Sequence, residues 1–384
     1  MIRRYLLPRP LHPFAWWGWA IALAVVASMT TNPLLLASLM VVATLVTVSR
    51  RGDNPWAKGF RYYLVLAGFI VVVRIAFRVL FGGGDGPTVL FRLPEIPLPA
   101  WVGGIRLLGP VSLESLLHGA YDGMRLATVI VCVGAANSLV NPKRLLAALP
   151  SALYELGTIL IVAFSALPQL GDSIRRVLKV RRLRRARAAT TRRQRLGVVE
   201  TIVVPVLSDA LERSVALAAS MEARGYGRAG DARPAERARA TTLGLAGVAV
   251  LSVWSYELLA QPRPGRLRIA GVDVVELALL VLGLALVVLA MRVTGRHVRR
   301  TRYRPDRFGV AETLTVLCGA AGVGTVQWLR RHGDPSALTP EVAPFTWPQL
   351  TPTLLALLVV AAVPAFATPP PALTTTPAPK EGLP

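Results

Sequence analysis

The residues with the clearest chemical signature are Met221-Glu222-Ala223-Arg224-Gly225-Tyr226-Gly227, which end a run of apolar positions at helical spacing. Glycine at 225 suits the left-handed position that closes a helix, and this puts Arg224 beside the last free carbonyls, where a cation is electrostatically favoured. A guanidinium projecting from a fixed helix end offers a planar fork of N–H donors, suited to gripping carboxylates or carbonyls in a partner's groove. The same residues also read as a dipole-compensating arginine with a glycine stop. Spacing alone leaves both readings open.

Other chemistry is poorly supplied. The four histidines, His12, His118, His297 and His332, are scattered and form no HExxH or paired ligand set, and Cys132 and Cys318 lie in apolar stretches without a CxxC or Cys/His neighbour. No GxxxxGK[ST] phosphate cradle occurs. Gly82-Gly83-Gly84-Asp85-Gly86 is glycine-rich, but it runs into Pro87 rather than a Lys-Ser helix start, so it reads as a flexible loop. Neither metal nor nucleotide binding is expected of this chain.

The elements that must position Arg224 follow from composition. Of the 384 residues, 53% are hydrophobic and 17% charged, yet Lys and Arg number 44 against 21 Asp and Glu. The apolar residues are gathered into runs, and the basic residues lie between those runs, where the positive-inside rule expects them on cytoplasmic loops. This argues for a membrane and against nucleic acid as the partner of the positive charge. The fold class predicted is an all-α, polytopic integral membrane protein with long amphipathic cytoplasmic helices.

A membrane-spanning helix needs about 20 apolar residues. Residues 14–29 and 34–49 form a hairpin broken at Thr30-Thr31-Asn32-Pro33. The N-terminal Arg3 and Arg4 precede an apolar stretch without a small-residue cleavage site, so the first span reads as retained. A third span, 62–81, contains Arg74 and Arg78, which at that depth must face protein or water. Residues 82–111, rich in Gly and Pro, read as an extended extracytoplasmic loop. The next helix, 113–139, carries Glu114, Asp122 and Arg125, the last two three apart and so on one face.

An apolar segment, 152–167, follows, and then eleven basic residues and no acidic one between Arg175 and Arg195. After these, Val199, Ile202, Val203, Val206, Ala210, Leu217 and Met221 mark the apolar face of an amphipathic helix, with Glu200, Asp209, Glu212 and Arg213 elsewhere and Pro205 as a kink. Further spans cover 241–260, 271–291, 310–326 and 354–367, with a second basic stretch from Arg292 to Arg307. If all basic loops share one side, 152–167, bounded by Pro150 and Pro168, does not cross, which leaves eight spans with both termini cytoplasmic. The organisation expected is N-terminal spans (1–149), a cytoplasmic region with basic and amphipathic helices (150–240), C-terminal spans (241–367) and a disordered Pro/Thr-rich tail (368–384).

Ser220 to Gly227 resembles the Ala-Arg-Gly coupling motif of the transmembrane T component of energy-coupling factor (ECF) importers, the EcfT/CbiQ-like family, in which two such motifs end two long cytoplasmic helices. Val180-Arg181-Arg182-Leu183-Arg184-Arg185 falls where that family carries its first motif. Arg184 matches the arginine, Arg185 stands where glycine is usual, and the register stays open among Arg182, Arg184 and Arg185. The resemblance spans about residues 12–260, and Arg302-Tyr303-Arg304-Pro305-Asp306 is similar to a segment of extended actinobacterial-type members. It implies a non-catalytic subunit in the cell membrane whose coupling residues are Ala223, Arg224, Gly225, Arg182, Arg184 and Arg185. It also implies partners: ABC-type ATPase subunits, which bind the ATP, and a substrate-binding S component that selects a vitamin or metal ion. The chain itself needs no cofactor. Two other classes stand beside this reading. A stand-alone secondary transporter would use Arg74, Arg78, Asp122 and Arg125 on a charged solute. A membrane enzyme acting on lipids would need acidic or histidine clusters that the spans do not supply.

Overall fold

The computed structural model describes residues 8–53, 56–81, 86–94, 96–97, 106–149, 153–183, 192–225, 234–259, 268–269, 272–295, 306 and 308–371. In chain order the helices are α1 (Pro13–Ser28), α2 (Pro33–Arg50), α3 (Phe60–Leu80), α4 (Leu113–Leu139), α5 (Pro142–Ala147) and α6 (Tyr154–Leu183). They continue with α7 (Arg192–Ala223), α8 (Pro234–Leu259), α9 (Val274–Gly295), α10 (Val310–His332), α11 (Pro352–Ala362) and α12 (Pro364–Ala367). Proline opens α1, α2, α5, α8, α11 and α12. Its φ is pre-set for a helix and its missing N–H would have had no intrahelical partner at that position.

The chain forms two units, Met1–Leu145 with Pro305–Pro384, and Leu146–Arg304. In the first, α4 packs against α1, α2 and α3. Its buried positions are mostly small (Gly119, Gly123, Ala127, Cys132, Gly134, Ala135), which lets neighbouring backbones come close where lipid gives no hydrophobic drive for association. α10 crosses α1 at Gly319, where a Cβ would stand 2.9 Å from Ala22 Cβ and 3.1 Å from Trp19 Cα. Fully buried Trp19 donates its indole N–H to the Ala361 carbonyl at 3.1 Å, so α11 closes the same core.

The helix ends of this unit sort into two sets. At one end Arg9 forks onto Glu312 at 3.1 and 3.2 Å, Arg50 Nε donates to the Ala365 carbonyl at 2.8 Å, and Arg144 pairs with Asp306 at 2.6 Å. At the other, Thr30 Oγ1 donates to the Leu338 carbonyl at 2.6 Å, and Asn32 Nδ2 donates to the carbonyls of Ala337 and Gln349 at 2.8 and 2.9 Å. Asn32 Oδ1 meanwhile accepts from the amides of Leu34 and Leu35, capping α2. α1, α2 and α10 each run from one set to the other, as does the segment from Gln349 through α11 to Ala365.

In the second unit α6 packs on α7 and α8 on α9. The α8–α9 crossing is tight at Gly247 and Gly283: a Cβ on Gly247 would meet Val287 N at 3.0 Å and the Gly283 carbonyl at 3.2 Å. A two-stranded antiparallel pair, β5 (Arg268–Ile269) and β6 (Val272–Asp273), precedes α9 and follows the four strands of the first unit.

Among the described residues, seven helices are long and apolar enough to cross a membrane: Pro33–Arg50, Ala57–Leu80, Leu113–Leu139, Leu156–Val180, Ala238–Glu257, Ala278–Gly295 and Val310–His332. Pro13–Ser28 and Pro352–Ala367 are apolar but shorter. The chain is a polytopic all-α membrane protein. Two sequence expectations are corrected. The segment 152–167 does not stop at Pro168: from Tyr154 it is part of one 30-residue helix with that proline inside, since proline withholds one N–H and leaves the rest of the ladder intact. Its stretch 156–180 is long and apolar enough to cross a membrane. The loop 82–111 contains paired strands, β1 (Val89–Arg92) with β4 (Pro110–Ser112) and β2 (Ile96–Pro97) with β3 (Arg106–Leu107), an antiparallel arm whose backbone groups are satisfied by each other. Gly82 to Asp85 lie outside the described residues, as do 372–384 of the tail.

Two outcomes follow. Asn32→Ala removes a cap and strands two carbonyls, a loss of about 2–5 kcal/mol. Asn32→Asp keeps the cap but turns a carboxylate on the same carbonyls, so its melting temperature in detergent should be at least as low as that of Asn32→Ala. Wild-type stability in Asn32→Asp would show that the tie to 337 and 349 carries no weight. In a Cys132→Ala, Cys318→Ala background, single cysteines at Arg51 and Thr346 should react with a membrane-impermeant reagent from opposite sides. Labelling from one side would refute the two sets of ends.

Candidate functional site

The α6–α7 pair presents the residues singled out above. α6 begins apolar and ends basic, and it meets α7 through one polar seam. Asp209 Oδ2 accepts from the hydroxyl of buried Ser173 at 2.6 Å and faces Arg176 at 3.3 Å and Arg213 at 3.0 Å. The Ser173 hydrogen bond, followed by the charges of Arg213 and Arg176, holds the Asp209 carboxyl below its ordinary value. A single acidic residue thus gathers two guanidiniums and one hydroxyl from two helices.

This seam modifies the sequence reading of α7. Ile202, Val206, Ala210 and Met221 are half-buried as an apolar face should be, but Asp209 and Arg213 are half-buried with them. Val203 and Leu217, assigned to that face, are exposed. A second row, Val204, Leu207, Leu211 and Val215, spaced three or four apart, is exposed along α7 without a cover. α6 exposes a comparable row at Leu156, Ile159, Leu160, Phe164 and Leu167. Pro205 lies inside α7, as Pro168 lies inside α6.

α7 ends at Ala223. The Arg224 amide donates to Met221 O at 3.1 Å and the Gly225 amide to Glu222 O at 2.9 Å, the tightened last turn of a closing helix. Gly225 has φ of +76°, a conformation that costs an L side chain about 1–2 kcal/mol, and nothing lies within 4 Å of where a Cβ would stand. The glycine is therefore required by backbone shape rather than by crowding. Arg224 is exposed, and among the described residues it has no ion pair. Arg182 is exposed in the last turn of α6, while Arg184 and Arg185 lie outside the described residues. Along its helix Arg182 stands about 13 Å past Ser173, and Arg224 about 22 Å past Asp209, so neither arginine belongs to the seam.

Sequence reasoning missed two partnerships. Spacing sets Asp209 off the packing face of α7 with Arg213 four residues on, whereas Ser173 and Arg176 come from α6. Asp122 was grouped with Arg125, but its ion pair is with Arg78 at 3.7 Å. Residue spacing carries no signal for Ser173, Arg176 or Arg78, because these partners are interhelical. Among the described residues no three His, Cys, Asp or Glu gather as a metal site.

The seam carries a pH dependence. Asp209 titrates lower in the folded protein, so its contribution is present above the ordinary aspartate value and is lost as pH falls from there through the lowered one. Amide hydrogen exchange across 170–176 and 206–213 should accelerate over that window, and Asp209→Asn should be fast at all pH values and lack the acid step. An unchanged acid step in Asp209→Asn would assign it to another group.

No curated protein matches this chain. The family described as CbiQ, cobalt transport protein, matches residues 8–234, more than half of the chain and all of α1 to α7 with the Gly225 terminus. With its apolar helices and that match, the chain belongs to the CbiQ cobalt transport protein family.

Proposed function

We propose that this protein is the transmembrane coupling subunit, the T component, of an ECF-type ABC importer. It passes ATP-driven motion of two ATPase subunits to a substrate-binding S component that takes up a vitamin or metal ion. The observation that carries the reading is the end of α7: an exposed Arg224 with no ion pair among the described residues, fixed in place by a left-handed Gly225, on a helix whose row Val204 to Val215 is left uncovered. A cation held on a rigid helix end suits an acidic groove, and an uncovered apolar row suits a second helical partner.

Orientation follows from charge. Of the two sets of ends in the first unit, the one with Arg9, Arg50, Arg51, Lys58, Arg61, Lys143 and Arg144 carries the larger basic excess, against Asp53, Asp306 and Glu312. We assign that side to the cytoplasm, with the basic ends of α6 and α7. ATP belongs to the partner ATPases in this scheme, and the transporting complex needs no catalytic group from this chain. Arg184 and Arg182, with Arg185 in reserve, supply the second contact.

Arg224→Glu sets repulsion against the groove and leaves its carboxylates unpaired, a loss of about 2–5 kcal/mol, or tens- to thousands-fold in affinity. Co-purification of the ATPases and substrate uptake should both fall at unchanged membrane abundance, with a milder loss in Arg184→Glu because Arg182 and Arg185 stand close by. Uptake at the wild-type level in Arg224→Glu, or an equal loss from Arg193→Glu, would reduce the motif to a helix stop and leave bulk basic charge as the attraction.

A further inference from the structure

α3 and α4 together expose a cationic cluster that the coupling role does not use. Gly119 and Gly123, four apart on α4, face α3. A Cβ on Gly119 would stand 2.8 Å from Arg78 Cγ, and one on Gly123 would stand 3.2 Å from Arg74 Cβ and 3.0 Å from Val71 Cα. The two glycines thus open the seam at the level where the stems of Arg74 and Arg78, themselves four apart, pass over it. Arg78 pairs with Asp122 at 3.7 Å, with both side chains about two-fifths exposed (40% and 41%). Arg74 and Arg125 are exposed and make no hydrogen bond or ion pair among the described residues. Arg78 thus holds the one carboxylate, Arg74 stands a turn before Arg78 on α3, and Arg125 follows Asp122 by three residues on α4. On an apolar helix pair, two arginines left without a carboxylate favour an anion beside them.

Depth identifies which anion. α4 has 27 residues and rises about 40 Å, longer than the roughly 30 Å hydrocarbon layer. Counting about 20 residues back from Leu139, the end that leads to Lys143 and Arg144, brings the boundary to the level of Gly119 to Asp122. The glycine contacts place Arg74 and Arg78 at that same level, and Arg125 is a turn deeper, within reach of the boundary by its flexible stem. Around the cluster Val72, Phe77, Phe81 and Leu126 are exposed, an apolar surface for acyl chains. A guanidinium pair at headgroup depth beside apolar side chains matches a phosphodiester with its chains attached. The positive excess disfavours a headgroup that brings its own ammonium.

We propose that Arg74, Arg78 and Arg125 form a binding site for an anionic phospholipid, of the phosphatidylglycerol class, in the leaflet opposite the basic ends of the helices. Asp122 orients Arg78 there, and Gly119 and Gly123 are needed because a side chain at either would displace an arginine stem.

The test is native mass spectrometry of the full chain in detergent, titrated with phosphatidylglycerol or with phosphatidylcholine of the same acyl chains. Wild type should retain phosphatidylglycerol selectively. Arg74→Gln and Arg125→Gln, which break no contact of the fold, should each weaken it about fivefold, and Arg292→Gln should not. Arg78→Gln combined with Asp122→Asn removes the pair without orphaning a charge and should weaken it similarly. Equal retention of the two lipids, equal retention by wild type and Arg74→Gln, or complete displacement by millimolar inorganic phosphate would overturn the site. The last would make it a free-anion site. Loss of lipid without loss of ATPase co-purification is the expected result, so failure here and failure of the coupling reading are separable.

Discussion

Where a membrane helix stops, its backbone groups lose their internal partners and lipid offers none in exchange. The break between α1 and α2 meets this constraint with one side chain. Fully buried Asn32 accepts from two amides that open α2 and donates to two carbonyls in the segment joining α10 to α11, so all four of its hydrogen-bonding positions are used. Thr30 and the Thr31 amide add bonds to Leu338 of the same segment. The turn cannot be satisfied without the segment joining α10 to α11, and that segment has its own place fixed by the turn. The rest of the first unit is arranged around this tie.

The consequence reaches beyond the family match, which ends at 234. Helices α10 to α12 lie outside it, yet they supply the carbonyl for Trp19, the carboxylate for Arg9 and the cover for α1 and α2. Glu312 is 1% exposed and would be costly alone. Arg9 and the Gly309 amide, at 3.2 and 3.0 Å, both donate to its Oε2, and Arg9 stands 3.1 Å from Oε1 as an ion pair. These helices complete the same core as the family region instead of forming an addition to it.

The α6–α7 pair is built on a different principle. Its contact centres on Asp209 and its polar partners, while long rows of Val, Leu and Ile remain uncovered on both helices. A seam of hydrogen bonds and partly solvated ion pairs fixes where two helices cross with little apolar burial behind it. The first unit is held by buried aliphatic and small residues, so the two parts of the chain differ in what their helices bury.

Read alone, the sequence determined the class of the protein, most of its helices, the side on which basic residues gather and the glycine-closed end of α7, because each of these depends on residues within a turn or two of one another. Hydrophobic runs, prolines at helix starts and Arg224 before Gly225 are local statements, and bilayer physics turns them into elements without further information. It did not determine the continuity of α6 through Pro168, since one withheld N–H is weighed against packing that lies elsewhere. The strands of 89–112 were hidden because their satisfaction comes from each other across a long connection. Asn32 bonding to residues 305 and 317 positions away, Arg78 choosing Asp122, and Ser173 completing Asp209 were decided only by tertiary structure. A buried polar group must find a partner, but which partner depends on how the helices are brought together.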